Sequence, residues 1–160
     1  MGDIMKKISI FSLIIIIVDQ GIKYLISHNI KLNSHVCVFK KFFYISHVRN
    51  DGAAWSIMSG DKWLLIIIAL IAIVIIYKTF IENKKIDRMD TIIYSLLLGG
   101  IVGNLVDRII YGYVIDYLEF IIFKYHYPIF NLADICIVIA VIFIIVKSIR
   151  EEVCKRKVKE

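Results

Sequence analysis

The sequence predicts an all-α integral membrane fold, four transmembrane helices with a small extracytoplasmic β-rich cap and an interfacial helix, on three observations. The 160 residues are 59% hydrophobic with one proline, and the mean hydropathy is +0.77, outside the range of a soluble domain. Four segments, about 8–27, 63–80, 91–110 and 129–148, reach the length of roughly 20 apolar residues that spans a bilayer. The stretches between them, 28–62 and 111–128, are too polar to span and too apolar for plain linkers. Residues 1–160 therefore read as a single membrane domain.

The first segment follows Lys6 and Lys7 as a secretory signal would. No A-x-A site follows it, however, and Asp19, Gln20 and Lys23 interrupt its second half, so a retained helix is expected. Segment 28–62 alternates weakly at Val36, Val38, Phe42 and Tyr44, a partial strand signal. Asn50-Asp51-Gly52 marks a turn, and Trp55 and Trp63 suit an interfacial stretch. The second helix is almost wholly apolar. The third carries glycines at 99, 100 and 103 followed by Asn104, Asp107 and Arg108; the loop 111–128 supplies Asp116; the fourth opens on Asn131 and Asp134.

Basic residues set the orientation. Lys6, Lys7, Lys78, Lys84, Lys85, Arg88, Lys147, Arg150, Lys155, Arg156, Lys157 and Lys159 put 12 charges on one side, against 6 on the other at Lys31, Lys40, Lys41, Arg49, Lys62 and Lys124. Both termini are expected in the cytoplasm, and the intramembrane charges then gather just under the outer face. Asp134 is expected about five residues, or roughly 7–8 Å, below the outer end of its helix. The net charge of +6 lies in blocks beside apolar runs, as topology signals do, which argues against a nucleic-acid partner. Cys37, Cys136 and Cys154 form no disulfide framework or CxxC site; Cys136 reads as core packing.

Charge at bilayer depth costs several kcal/mol, so Asp19, Lys23, Asp107, Arg108 and Asp134 call for function. Asp116 and Asp134 read as a catalytic pair: two close carboxylates hold one proton, and together activate water and protonate a leaving nitrogen. Singly, Asp116 is an ordinary loop residue and Asp134 a helix cap; the company of Asp107 and Asn131 favours the pair. Asn131 and Asp134, spaced i, i+3, share a helix face, where Asn131 either orients Asp134, meets substrate or joins two helices. Asp19 and Lys23, spaced i, i+4, form an intrahelical pair. Arg108 reaches headgroups or a substrate carbonyl, while Asp107 fixes the Asp116 loop. The glycines are assigned to helix packing. His28, His35, His47 and His126 lack metal-ligand spacing and read as solvated, and no base accompanies Ser56 or Ser95. No metal or cofactor is expected. A proton- or ion-coupled membrane transporter is the alternative, weakened by the apolar second helix and the lack of an internal repeat.

The motifs VDQGIK (18–23), NDGAAWS (50–56), GNLVDR (103–108), VIDY (114–117) and FNLAD (130–134) occur in order over most of the chain. In them the sequence resembles the lipoprotein signal peptidases (signal peptidase II), bacterial intramembrane aspartic proteases; Trp55 stands where that family often has Phe. The resemblance implies a catalytic dyad of Asp116 and Asp134, with Asp19, Lys23, Asn50, Gly52, Asn104, Asp107, Arg108 and Asn131 lining or supporting the site. It implies a diacylglyceryl-modified prolipoprotein substrate cleaved before its lipidated cysteine, contact with membrane lipid, and inhibition by globomycin-type cyclic peptides. A monomer in the bacterial cytoplasmic membrane, its site near the outer face, is the corresponding expectation.

Overall fold

The computed structural model describes residues 2–52, 60–82 and 86–157. Its elements run α1 (Gly2–Asn29), β1 (His35–Phe39), β2 (Phe43–Asn50), α2 (Lys62–Glu82), α3 (Arg88–Ile110), β3 (Val114–Ile122), β4 (Tyr125–His126) and α4 (Leu132–Lys157). Each helix contains a stretch long and apolar enough to cross a membrane, so this is a multi-pass membrane protein with a small sheet. The interfacial helix expected around Trp55 lies outside the described residues.

Helix α3 is the axis of the bundle: α1, α2 and α4 all pack against it. Its glycines permit this. A Cβ on Gly99 would meet the Ile15 side chain at 2.8 Å, and one on Gly100 would meet the Ala133 carbonyl oxygen at 2.5 Å. Small residues let helix backbones approach where lipid offers no hydrophobic drive to associate. At the end remote from the sheet, Asp87 caps α3 in a reciprocal capping box with Asp90. Lys147 of α4 reaches both carboxylates, at 3.0 and 2.5 Å, and clamps the two helices there.

The helix limits differ from the sequence reading at informative places. Helix α1 runs from Gly2 to Asn29, beyond the 8–27 expected at both ends, and carries Asp19 and Lys23 as an ion pair inside the bundle. Helix α4 starts at Leu132, not 129, because Asn131 is its cap: the Asn131 side chain accepts the Asp134 N–H at 3.0 Å and the Asp134 carboxylate accepts the Asn131 N–H at 3.1 Å. Asp134 is therefore in the first turn of α4, shallower than expected.

The two cap segments form one antiparallel sheet in the order β1-β2-β3-β4, so 111–128 is not a loop and Asp116 lies on a strand. Asn50 pairs with Val114 and Val48 with Asp116, which sets the end of β2 beside the catalytic candidate. Phe130 bridges to Leu118 and returns the chain to the top of α4. His47 also departs from expectation. It is buried, with Nδ1 2.7 Å from the Ile30 carbonyl oxygen, where it fastens β2 to the end of α1.

Candidate active site

Where the sheet meets the C-terminal ends of α1 and α3 and the N-terminal end of α4, one hydrogen-bonded network joins all ten residues singled out in the sequence. Its buried base is an ion triplet. Lys23 Nζ lies 2.8 Å from Asp19 Oδ2 and 2.9 Å from Asp107 Oδ2, and all three side chains are fully buried. The triplet is short of positive charge by one. Asp19 Oδ1 accepts the Ala133 N–H at 3.1 Å, at the positive end of α4. Asp107 accepts the Ile115 N–H at 3.2 Å and the Gln20 amide at 2.8 Å. The backbone donor beside Asp116 is thereby tied to α3, in the manner expected of Asp107.

Two asparagines carry the base to the carboxylates. Lys23 donates to Asn104 Oδ1 at 2.9 Å, and Asn104 Nδ2 donates to Asp134 Oδ1 at 2.7 Å. Asn131 Nδ2 donates to Asp116 Oδ1 at 2.6 Å and to Asn104 Oδ1 at 3.2 Å. Asp116 and Asp134 are thus held through one asparagine pair, although they sit 18 residues apart on a strand and a helix. Two of the uses of Asn131 considered in the sequence occur together, since it holds Asp134 in the α4 cap and bonds Asn104 across to α3; its bond to Asp116 is an addition that the spacing did not suggest. Asn50 completes the hold by donating to Asp116 Oδ2 at 2.8 Å, while its own Oδ1 accepts the Gly52 N–H at 3.0 Å.

The two carboxylates have different surroundings. Asp116 is 2% exposed, whereas Asp134 is half-buried. Burial first, and the charge of Asp134 second, push the Asp116 carboxyl up from 3.8 to about 7, against the opposing pull of Asn50 and Asn131. Asp116 therefore retains its proton close to neutral pH.

Arg108 turns away from the ion triplet. Its Nη2 donates to the Gly52 carbonyl oxygen at 2.9 Å, a backbone partner not foreseen in the sequence. Its Nε–H is buried without a partner among the described residues.

Sequence reasoning passed over three contributors. Gln20 bridges Asp107 and the Gly103 carbonyl oxygen, at 2.8 and 3.1 Å; its polarity next to Asp19 in an apolar helix was the available signal. The Tyr117 hydroxyl accepts the Leu132 N–H at 3.1 Å and satisfies a donor at the start of α4. Burial raises that phenol above its ordinary range and keeps it neutral. Gly103 proved to belong to the site as well as to packing, since a Cβ there would meet Asp19 Oδ2 at 2.8 Å. Only the backbone approach of the folded helices reveals the last two. Among the described residues, no cluster of three or more His, Cys, Asp or Glu side chains is arranged to hold a metal ion.

Comparison with known proteins gives consistent results. Residues 11–150 match the family described as signal peptidase (SPase) II. A lipoprotein signal peptidase of Bacillus pumilus (strain SAFR-032) is 36% identical over 140 residues, 88% of this chain and 90% of the relative. Two solved bacterial membrane enzymes, obtained by the in meso method at 2.3 and 1.9 Å resolution, superpose with TM-scores of 0.85 and 0.79. They are 34% and 35% identical to this chain, cover 91% and 88% of it, and are themselves covered over 88% and 90% of their length.

Proposed function

The chain belongs to the signal peptidase II family and removes signal peptides from prolipoproteins; we propose that it does so as an intramembrane aspartic endopeptidase with Asp116 and Asp134 as its dyad. One observation carries this reading: two carboxylates from different elements are held by the same asparagine pair, one buried and protonated near neutrality, the other half-buried.

The division of labour follows from the surroundings. Asp134, open to the bilayer surface, takes a proton from a water whose oxygen attacks the scissile carbonyl carbon. Asp116 donates its proton in a hydrogen bond to the carbonyl oxygen, where negative charge develops. As the tetrahedral intermediate collapses, the C–N bond breaks and the proton held by Asp134 passes to the leaving nitrogen. The unpartnered Arg108 Nε–H suits a further carbonyl of the substrate backbone. The other seven residues of the network hold the pair in register and touch no reacting atom.

By family resemblance the substrate carries diacylglycerol on a cysteine, and cleavage falls immediately before that cysteine. A dyad in the first turn of α4 and the start of β3 suits a scissile bond that the lipid anchors at the bilayer surface. The distribution of basic residues supports termini in the cytoplasm and a dyad near the outer face. Globomycin-type peptides would compete for the same opening. The transporter alternative has no support: α2 is apolar throughout its span, and the similar proteins are peptidases.

The test is incubation of the purified full-length protein with a diacylglyceryl-modified prolipoprotein, with product masses measured. The expected result is a lipid-bearing mature protein beginning at cysteine plus an intact signal peptide. An uncleaved substrate, or cleavage that persists in Asp116→Asn, would overturn the reading.

A further inference from the structure

The end of the sheet farthest from the dyad carries a group of side chains that the peptidase chemistry does not use. Strands β2 and β3 are antiparallel, with Phe43 opposite Phe120, and the Phe42 carbonyl oxygen accepts the Ile121 N–H at 2.9 Å. The β1–β2 turn at 39–42 and the β3–β4 turn at 122–125 therefore lie side by side. Phe123 lies seven residues beyond Asp116, about 23 Å of extended chain.

These two turns are apolar and basic at once. Phe123 is 98% exposed and Phe39 63%, with Phe42 and Tyr125 about half exposed. Lys40, Lys41 and Lys124 are exposed alongside them, and none is paired with a carboxylate among the described residues. The nearest acid on the same strand, Glu119, is already engaged by the Ser46 hydroxyl and lies 3.6 Å from His126 Nδ1. The turns are also strained. Lys41, Phe123 and Lys124 have φ of 64°, 49° and 67°, left-handed values that hairpins normally assign to Asn or Gly and that a bulky residue rarely adopts. A fully exposed Phe in such a turn gains nothing from water.

We propose that this end of the sheet is a foot that rests on the bilayer and binds anionic phospholipid headgroups, with the Phe123, Phe39 and Tyr125 rings at the interface and Lys40, Lys41 and Lys124 on lipid phosphates. Aromatic rings are favoured at the headgroup level, and clustered lysines near a membrane surface are drawn to anionic lipid. The sheet is attached at its other end to α1, α3 and α4, so the foot gives the cap a second point of contact about 20 Å from the helices. Charge complementarity selects an anionic lipid surface over a second copy of this chain, whose own net charge is +6.

The proposal is tested by depth, independently of turnover, in the full chain reconstituted into lipid nanodiscs. A nitroxide is placed at Phe123→Cys after Cys37→Ser and Cys154→Ser remove the exposed thiols. Its exposure to lipid-soluble oxygen and to a water-soluble nickel chelate is measured in phosphatidylcholine alone and with phosphatidylglycerol mixed in. The expected result is several-fold lower nickel access with phosphatidylglycerol, restored towards the phosphatidylcholine value by Lys40→Gln, Lys41→Gln and Lys124→Gln together, with unfolding temperature unchanged. A label equally open to nickel in both lipids overturns the proposal. So does shielding that ignores lipid charge and the lysine changes, or spin–spin broadening that reveals a contact between copies.

Discussion

Replacing Asp116 by an asparagine separates what this group does from what it costs. Burial and the charge of Asp134 raise its carboxyl from 3.8 to about 7, so the folded protein binds this proton more tightly than the unfolded chain does. Stability from this source is fullest below about pH 4, falls as pH rises towards about 7, and is flat above that. At about 1.4 kcal/mol per pH unit, the wild-type chain loses about 2 kcal/mol between pH 5.5 and 7 that an amide at this position does not lose. Against this, the amide of Asp116→Asn offers one oxygen to two donors, Asn50 and Asn131, which sit 2.8 and 2.6 Å from the present carboxylate. The donor left facing an NH2 costs about 1–3 kcal/mol at every pH. The variant should therefore be clearly the less stable protein near pH 5.5 and close to wild type near pH 8.5, a gap that narrows by about 2 kcal/mol. Detergent-solubilised protein unfolded by heat or denaturant, followed by tryptophan fluorescence at both pH values, reads this directly, while prolipoprotein cleavage should be absent throughout. A stability gap of the same size at both pH values would refute the claim that buried Asp116 carries a proton, whatever the activity.

Other outcomes follow from the same contacts. Asp134→Asn should abolish cleavage with folding retained, since Asn131 still caps α4 and the new amide oxygen can accept the Asn131 N–H but takes no proton from water; residual turnover measured by mass spectrometry would count against the dyad. Cleavage should survive chelating agents, because a proton-sharing pair needs no Lewis acid, and loss on chelation reversed by one metal would contradict this. Lys23→Met leaves Asp19 and Asp107 buried without their cation and should cost about 3–5 kcal/mol, read as a large drop in unfolding temperature. Gly100→Ala sets a methyl 2.5 Å from the Ala133 carbonyl oxygen, which cannot retreat without moving α4; an overpacking cost of about 1–3 kcal/mol and slower cleavage are expected, and unchanged values would show that the α3–α4 seam is looser than described.

The helices, and the polar residues that the network gathers from within them, were legible because a membrane makes each departure from hydrocarbon conspicuous: Asp19, Asn104 and Asp107 have no bland use in an apolar run, whereas Asn50 and Gly52 were implied only by the family motif. The partners were not legible. That Lys23 serves Asp107 as well as Asp19, and that Asn104 and Asn131 tie the two carboxylates, depends on how α1, α3 and α4 cross, which periodicity does not encode. Strand β3 was read as a loop because VIDYLEFII is apolar without alternation; it is covered at its start by α1 and α3 and needs no polar face there. His47 was misread for a related reason, since its burial comes from the end of α1 folding over β2 and not from its neighbours in sequence.

The network also bears on why a lipid, more than a side-chain pocket, should govern what is cut. Behind the dyad, Asp19, Lys23, Asn104, Asp107 and Asn131 are all buried and bonded to one another, and at bilayer depth no water offers their groups an alternative, so the separation of the carboxylates is fixed from the rear. The front is different. Asp134 is half-buried there, and the Arg108 Nε–H is buried without a partner among the described residues, while α2 and α4 carry exposed aliphatic side chains such as Ile67, Ile71, Val138 and Ile142. On the proposed reading, a donor for a peptide carbonyl and hydrocarbon surfaces for acyl chains would distinguish one residue type from another poorly, because both would grip features common to all lipidated peptides. Discrimination then comes, on that reading, from where the lipid holds the chain: if Asp116 and Asp134 are the dyad and lie close to the bilayer surface, the peptide bond beside the anchored cysteine is the one delivered to them.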